Sequence, residues 1–317
     1  SNNPISPKVS KNLIMALFAG IFIGLGISIS IEYFDNTLRS IEYVERLNLP
    51  ILAIIPSIGI GNTYSKREKE SNLVSNTIKN GRQIVGNLQR RMVTHEDPKS
   101  SISEAYRSLR TSLMYTKKGE KGSIMVSSPG PGEGKTTTII NLAITYANLG
   151  KNTLLIDGDL RKPVLHKVFN GNNEKGLTHY LSGVEKNWDN VVKSTDIPNL
   201  KIVYNGAIPP NPSELLGSKL MENLVVELKK SYDVILYDAP PIMAVTDAVV
   251  LSRLIDQFII VVRFGRTAKD SILHSLKAIN HVDSKPTGVV FNDLNQKNSY
   301  YSNNYYSYQQ YYYISES

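Results

Sequence analysis

The sequence contains no cysteine, 1 tryptophan and 7 phenylalanines in 317 residues. Without a thiol there is no disulfide framework, no cysteine nucleophile and no thiolate zinc or iron–sulfur site, and nothing in the composition fixes the redox compartment. A composition of 41% hydrophobic and 20% charged residues excludes wholesale disorder, a collagen-like chain and a multi-span membrane protein. The first residue is not methionine: the chain opens SNNPISPK and is expected to be the C-terminal part of a longer protein or a trimmed form. Its length suits one large domain or two small ones, with a substantial core.

Two features are in excess, and both are unevenly placed. The formal net charge is +8, and residues 62 to 121 alone hold 13 Lys/Arg against 6 Asp/Glu, a surplus of +7. Of 18 tyrosines, eight (Tyr300, Tyr301, Tyr305, Tyr306, Tyr308, Tyr311, Tyr312 and Tyr313) fall within fourteen residues near the C-terminus.

Residues 13 to 31, LIMALFAGIFIGLGISISI, carry no charge. As a helix they would span about 28 Å, close to the roughly 30 Å hydrocarbon core of a bilayer. They predict a transmembrane helix, with residues 1 to 12 as its extracytoplasmic flank. A secretory signal has a shorter apolar core and a small-residue cleavage site, which this segment lacks. Lysines before the span and mixed charges after it give no orientation by the positive-inside rule. Residues 32 to 100 predict a juxtamembrane junction and linker: a short helix, the strand-like ILAII between Pro50 and Pro56, then a polar stretch over 57 to 80 without a sustained apolar period.

From residue 101 the character changes. Apolar, β-branched runs at 123–128, 152–157, 201–205, 232–238, 256–262 and 287–292 alternate with helical patterning. Such runs predict a mainly parallel sheet covered on both faces, a doubly wound α/β domain over 101 to 296. Residues 297 to 317, almost free of aliphatic side chains, predict a disordered tail.

Three of the predicted strands end in chemistry. The first runs into SSPGPGEGKTTT, a glycine-rich turn that opens a helix. Glycines let backbone N–H groups converge on phosphate oxygens, the helix N-terminus adds positive potential, Lys135 reaches the β/γ-phosphates, and the Thr136 hydroxyl is placed for Mg²⁺. Gly130, Gly132, Glu133, Gly134, Lys135, Thr136 and Thr137 are therefore the residues set against an ATP molecule. The strict G-x-x-x-x-G-K-[ST] pattern has glycine where this chain has Pro129. The second strand ends LLIDGDLRKP, with Asp157, Asp159 and Arg161 at its carboxyl end, where ligands of open α/β sheets bind. Two carboxylates beside a triphosphate imply a divalent cation between them, although one aspartate could instead cap a helix. The fourth strand ends VILYDAPP, a Walker B arrangement that takes Asp238 to the metal directly or through a water. Polar Arg263 and Asn292 close the fifth and sixth strands, where they either line the nucleotide base or cap the strands.

This trio, GEGKTTT, LLIDGDLR and VILYDAPP, resembles the Walker A, Walker A′ and Walker B set of the bacterial tyrosine kinases, which use a P-loop ATPase fold. Glu104-Ala-Tyr-Arg107-Ser-Leu-Arg110 is similar to that family's E-x-x-R-x-x-R motif, and the terminal tyrosines resemble its autophosphorylation region. The membrane span followed by DNTLRSIEYVERLNLPILAIIP looks like the second transmembrane helix and junction of the chain-length-determinant half of fused, Wzc-like polysaccharide co-polymerases. The resemblance implies a cytoplasmic kinase domain on the bacterial inner membrane, with Ser1 on the far side. It implies Asp157 as the group that accepts or orients the tyrosine proton, and Thr136, Asp159 and Asp238 as metal ligands. On sequence grounds the roles of Asp157 and Asp159 are interchangeable. It also implies a ring-shaped homo-oligomer, an octamer among the sizes to be tested, with Glu104, Arg107 and Arg110 at the subunit contact. The same three residues, spaced by three, also fit a solvated helical face of ion pairs. Implied partners are the polysaccharide polymerisation and export machinery, a cognate tyrosine phosphatase and anionic inner-membrane lipids, to which each juxtamembrane lysine contributes about 1 kcal/mol. No base-reading module accompanies the basic block, which argues against nucleic acid. Two rivals share some of these features. A MinD/ParA-like ATPase switch would carry a lysine early in the loop, where this chain has Gly130, and a structural chain-length regulator would use its nucleotide only for regulation.

Overall fold

The computed structural model describes residues 9–57, 92–116 and 121–294. The tyrosine cluster, and residues 58–91 of the expected junction and linker with most of its basic residues, lie outside the described residues. The chain divides into two units, Ser1–Thr37 and Leu38–Ser317.

In the first unit a 26-residue helix runs from Val9 to Phe34, a length of about 39 Å. Its stretch Lys11–Phe34 is long and apolar enough to cross a membrane. Leu13, Phe18, Phe22 and Ile29 are all exposed. A helix apolar all round suits lipid rather than a half-buried surface.

The second unit is built on an eight-stranded sheet in the order β1-β8-β7-β2-β6-β3-β5-β4. The strands are β1 (Ile51–Pro56), β2 (Gly122–Ser127), β3 (Thr153–Asp157), β4 (Val192–Ser194), β5 (Leu200–Val203), β6 (Val234–Asp238), β7 (Gln257–Arg263) and β8 (Gly288–Leu294). All neighbours pair in parallel except β4 and β5. The six strands expected from residue 101 onward are all present. The continuous apolar runs follow from burial on both faces: Leu154 and Ile156 of β3, Ile235 and Tyr237 of β6 and Ile260 of β7 enter one core layer. Leu155, Leu236 and Ile259, the alternate residues, enter the other. Each such aliphatic side chain contributes about 1.5–3 kcal/mol on burial.

The helix Lys135–Asn148 lies within the second layer and is buried from Thr138 through Ala147. Helix Ser101–Thr116 packs there through Tyr106, Leu109 and Leu113. Helices Lys219–Ser231 and Lys269–Asn280 cover the first layer, inserting Met221, Leu224, Leu228, Ile272 and Ile279.

The packed unit begins well before residue 101, the boundary expected from the sequence. β1 forms an edge of the sheet against β8, and Leu38, Val44 and Leu49 of the expected junction are buried in the first core layer. The reason is pairing at long range: a six-residue edge strand finds its partner more than two hundred residues along the chain, which local periodicity does not record.

Candidate active site

All three chemistry-bearing strand ends meet at the carboxyl edge of the sheet. β2, β6 and β3 are consecutive, and register pairs Val126 with Asp238 and Asp238 with Asp157.

The loop between β2 and helix Lys135–Asn148 is held open by its glycines. Gly134 has φ +102°, and a Cβ there would stand 2.0 Å from the Asn292 amide nitrogen. Only glycine fits this combination of left-handed backbone and close approach. Pro129 fits where the backbone is used through its carbonyls, the Ile242 and Met243 N–H groups donating to the Ser128 and Pro129 carbonyls at 2.9 and 3.2 Å. A proline contributes a carbonyl there as well as glycine would.

Lys135 opens the helix and sends its ammonium between two aspartates, 3.1 Å from Asp159 Oδ2 and 3.3 Å from Asp238 Oδ1. The Thr136 hydroxyl donates to Asp238 Oδ2 at 2.7 Å. Burial works to lower the Lys135 pKa, but Asp238 and Asp159 outweigh it and the net direction is up. Asp157 is fully buried. Its Oδ2 accepts the Val164 and Leu165 N–H groups at 3.2 Å each, whereas Oδ1 has no hydrogen-bond partner. Burial, and then the neighbouring Asp238 charge, push the Asp157 carboxyl well above the usual range. Burial raises Asp238 in the same direction. Gly158 allows the crowding: its N–H donates to the Asp238 carbonyl at 2.8 Å, and a Cβ would sit 2.9 Å from that oxygen.

Glu133, Arg263 and Asn292, expected against the nucleotide, are tied to the loop itself. Glu133 turns inward, accepting from the Gly130 N–H at 3.2 Å and the Thr267 hydroxyl at 2.8 Å, and burial raises its pKa to about 7. Asn292 donates to the Glu133 carbonyl at 2.9 Å. Arg263, its register partner, pairs with Asp293 and reaches the Gly132 carbonyl at 3.4 Å. Thr137 lies in the first helical turn, its carbonyl bonded by Asn141 at 2.8 Å. Glu104, Arg107 and Arg110 stand apart on helix Ser101–Thr116. Arg107 pairs with Glu104 and bonds the Pro98 carbonyl, while Arg110 donates to the Thr145 carbonyl at 2.7 Å.

One pair at this edge went unread in the sequence. Arg161, two residues after Asp159, makes a forked ion pair with fully buried Asp247, Nε to Oδ2 at 2.9 Å and Nη2 to Oδ1 at 3.1 Å. Its presence in DGDLR was a signal for one partner, but Asp247, the first residue of helix Asp247–Ser252, belongs to no motif of its own.

The donor set suits a triphosphate with a divalent cation. Asp159 and Asp238 share the Lys135 ammonium, burial pushes Asp238 and neighbouring Asp157 toward protonation, and an oxygen of Asp157 is buried without a partner. Among the described residues no three His, Asp or Glu side chains form a closed metal shell by themselves. Mg²⁺ is bound through one or two carboxylates together with phosphate oxygens and waters.

A glycine-rich loop, a helix N-terminal lysine and threonine, and two acidic strand ends on a doubly wound sheet define a P-loop nucleotide-binding domain. The AAA_31 family model, an AAA domain, matches residues 122–289. Tyrosine-protein kinase YwqD of Bacillus subtilis (strain 168) is 39% identical over 206 residues, 65% of this chain and 86% of its own length. Tyrosine-protein kinase ptk of Acinetobacter johnsonii is 28% identical over 301 residues, 94% of this chain, and the chain spans 39% of that longer relative. The kinase domain of the Escherichia coli tyrosine kinase ETK superposes with a TM-score of 0.70 at 28% identity, over 83% of this chain and 97% of its own. The chain belongs to the bacterial tyrosine-protein kinases.

Proposed function

We propose that this chain transfers the γ-phosphoryl group of ATP to tyrosine hydroxyls, including its own C-terminal cluster, with Mg²⁺ as cofactor. The observation that carries the reading is the convergence of Lys135, Thr136, Asp159 and Asp238 beside buried Asp157. Phosphoryl transfer depends mainly on positioning and charge neutralisation. The loop N–H groups and Lys135 would hold the phosphates, and Thr136, Asp159 and Asp238 would hold Mg²⁺, which when bound neutralises charge on the transferring group. The phenol oxygen forms a bond to the γ-phosphorus, the bond from that phosphorus to the ADP oxygen breaks, and the phenolic proton passes to Asp157. A carboxylate whose pKa is raised by burial is better matched to that proton than an exposed one.

The apolar helix supports attachment to the bacterial inner membrane with the kinase domain facing cytoplasmic ATP. Its resemblance, with the following junction, to a polysaccharide co-polymerase supports a role in polysaccharide polymerisation and export. We further read Glu104, Arg107 and Arg110 as a subunit contact of a ring in which one copy's tail enters its neighbour's site. Each phosphate adds about −1.5 to −2 charge, so a phosphorylated tail would be repelled from a site holding ATP and the ring would loosen, with a tyrosine phosphatase restoring it. Incubation with labelled ATP and Mg²⁺ tests the reading against Lys135→Ala and a truncation before Tyr300. Label on tyrosine in the parent alone is expected, and its absence from tyrosine in every form overturns the proposal.

A further inference from the structure

The segment after β3 is fixed at three successive points. Asp157 accepts the Val164 and Leu165 N–H groups, Asp159 meets Lys135 with one oxygen and accepts the Lys162 N–H at 3.0 Å with the other, and Arg161 grips Asp247 with two donors. Asp247 belongs to a different segment, the one that follows β6 and opens helix Asp247–Ser252. It also accepts the hydroxyl of Ser213, which lies 3.1 Å from Thr246, so a third segment, from helix Pro212–Leu216, joins the same carboxylate. Asp247 is completely buried, while the Arg161 side chain is 42% exposed. Fully buried charges are held by forked partners because a single contact leaves them under-solvated.

We propose that Arg161 and Asp247 are a positioning pair: by locking the loop after β3 onto the segment after β6, they set where the Asp159 carboxylate stands relative to Lys135 and Asp238. This rests on the reading of Asp159 as a metal ligand in the kinase. Lysine retains the charge at position 161 but has no planar fork, so it satisfies one Asp247 oxygen rather than two. The loop then gains freedom at Asp159, which sits midway between the two anchors, while the phosphate loop, Lys135 and Thr136 keep their own supports.

The test uses the full chain in detergent and compares the parent with Arg161→Lys and Arg161→Ala. Thermal melting monitors folding, equilibrium binding of a fluorescent ATP analogue is titrated with Mg²⁺, and the rate of tyrosine labelling is measured across the same Mg²⁺ series. Positioning groups behind metal ligands typically change metal affinity or activity by about 10–100-fold. In Arg161→Lys, nucleotide affinity without Mg²⁺ is expected within about threefold of the parent, while the half-saturating Mg²⁺ concentration rises about tenfold and labelling slows in step. Added guanidinium ion should partly restore Arg161→Ala, since it can re-occupy Asp247. Lower melting with an unchanged Mg²⁺ dependence in both variants would show the pair to be structural only and overturn the proposal. If the parent labels no tyrosine, the kinase reading falls separately, and the pair is judged on the Mg²⁺ dependence of nucleotide binding, where the same shift is required.

Discussion

Asp157 and Asp238 are register partners on adjacent parallel strands, which brings two buried carboxylates side by side at the carboxyl edge of the sheet. Burial raises the pKa of both; the Asp238 charge further disfavours ionisation of Asp157, and Lys135 offsets only part of the effect. The same arrangement that makes this edge costly when empty of cations makes it fit for a phosphate–metal complex.

Asp157→Asn keeps shape and burial while removing the proposed proton acceptor. Tyrosine labelling is expected to fall by about 10²–10⁴-fold, with the melting temperature unchanged or higher because a buried acid has become neutral. A variant that labels tyrosine at the parent rate would remove Asp157 from the mechanism.

Glu133 gives a pH signature. Its pKa moves from an ordinary 4.5 to about 7 on folding, chiefly through burial. The folded chain therefore binds this proton more tightly than the unfolded chain does. The resulting stability is fully present below about pH 4.5 and is lost as the pH rises through about 7. Within that window the slope is at most about 1.4 kcal/mol per pH unit. Glu133→Gln, compared with the parent in denaturant melts at several pH values, should flatten the curve there; parallel curves would contradict the assignment.

Gly134→Ala places a methyl group against the Asn292 amide in a left-handed backbone position. The backbone alone costs about 1–2 kcal/mol, and the contact forces Asn292 off the Glu133 carbonyl. ATP affinity should drop at least about tenfold, with partial recovery in the Gly134→Ala/Asn292→Ala double variant, read by equilibrium binding. Full additivity of the two substitutions would argue that they do not interact.

Arg107→Ala and Arg110→Ala test the proposed subunit contact of their helix against its role in the fold. Both are expected to weaken assembly on a sizing column while leaving ATP binding intact. Arg110→Ala alone should also destabilise the fold, by about 1–2 kcal/mol, because Thr145 loses its donor. An unchanged oligomer in the double variant would sink the subunit-contact role.

Much of the domain is legible in the sequence. The six buried strands announce themselves as unbroken apolar runs because both faces of a parallel sheet are covered. GEGKTTT, LLIDGDLR and VILYDAPP announce their ends because phosphate chemistry needs glycine, lysine and acid at fixed offsets along one stretch of chain. The apolar helix was equally plain, since a bilayer imposes its length on consecutive residues.

What the sequence by itself determined is thus local: which segments are strands, which ends carry charge, and which run is apolar enough for lipid. Only the tertiary structure decided relations between segments far apart in the chain. β1 joins β8 at the sheet edge, Glu133 bonds Thr267 and Asn292 instead of facing outward, and Arg161 finds Asp247. The physical reason is the same in each case. Periodicity and motif spacing record the environment along one segment, whereas a buried polar group takes whichever partner folding brings within about 3 Å, and that partner's place in the chain leaves no local mark.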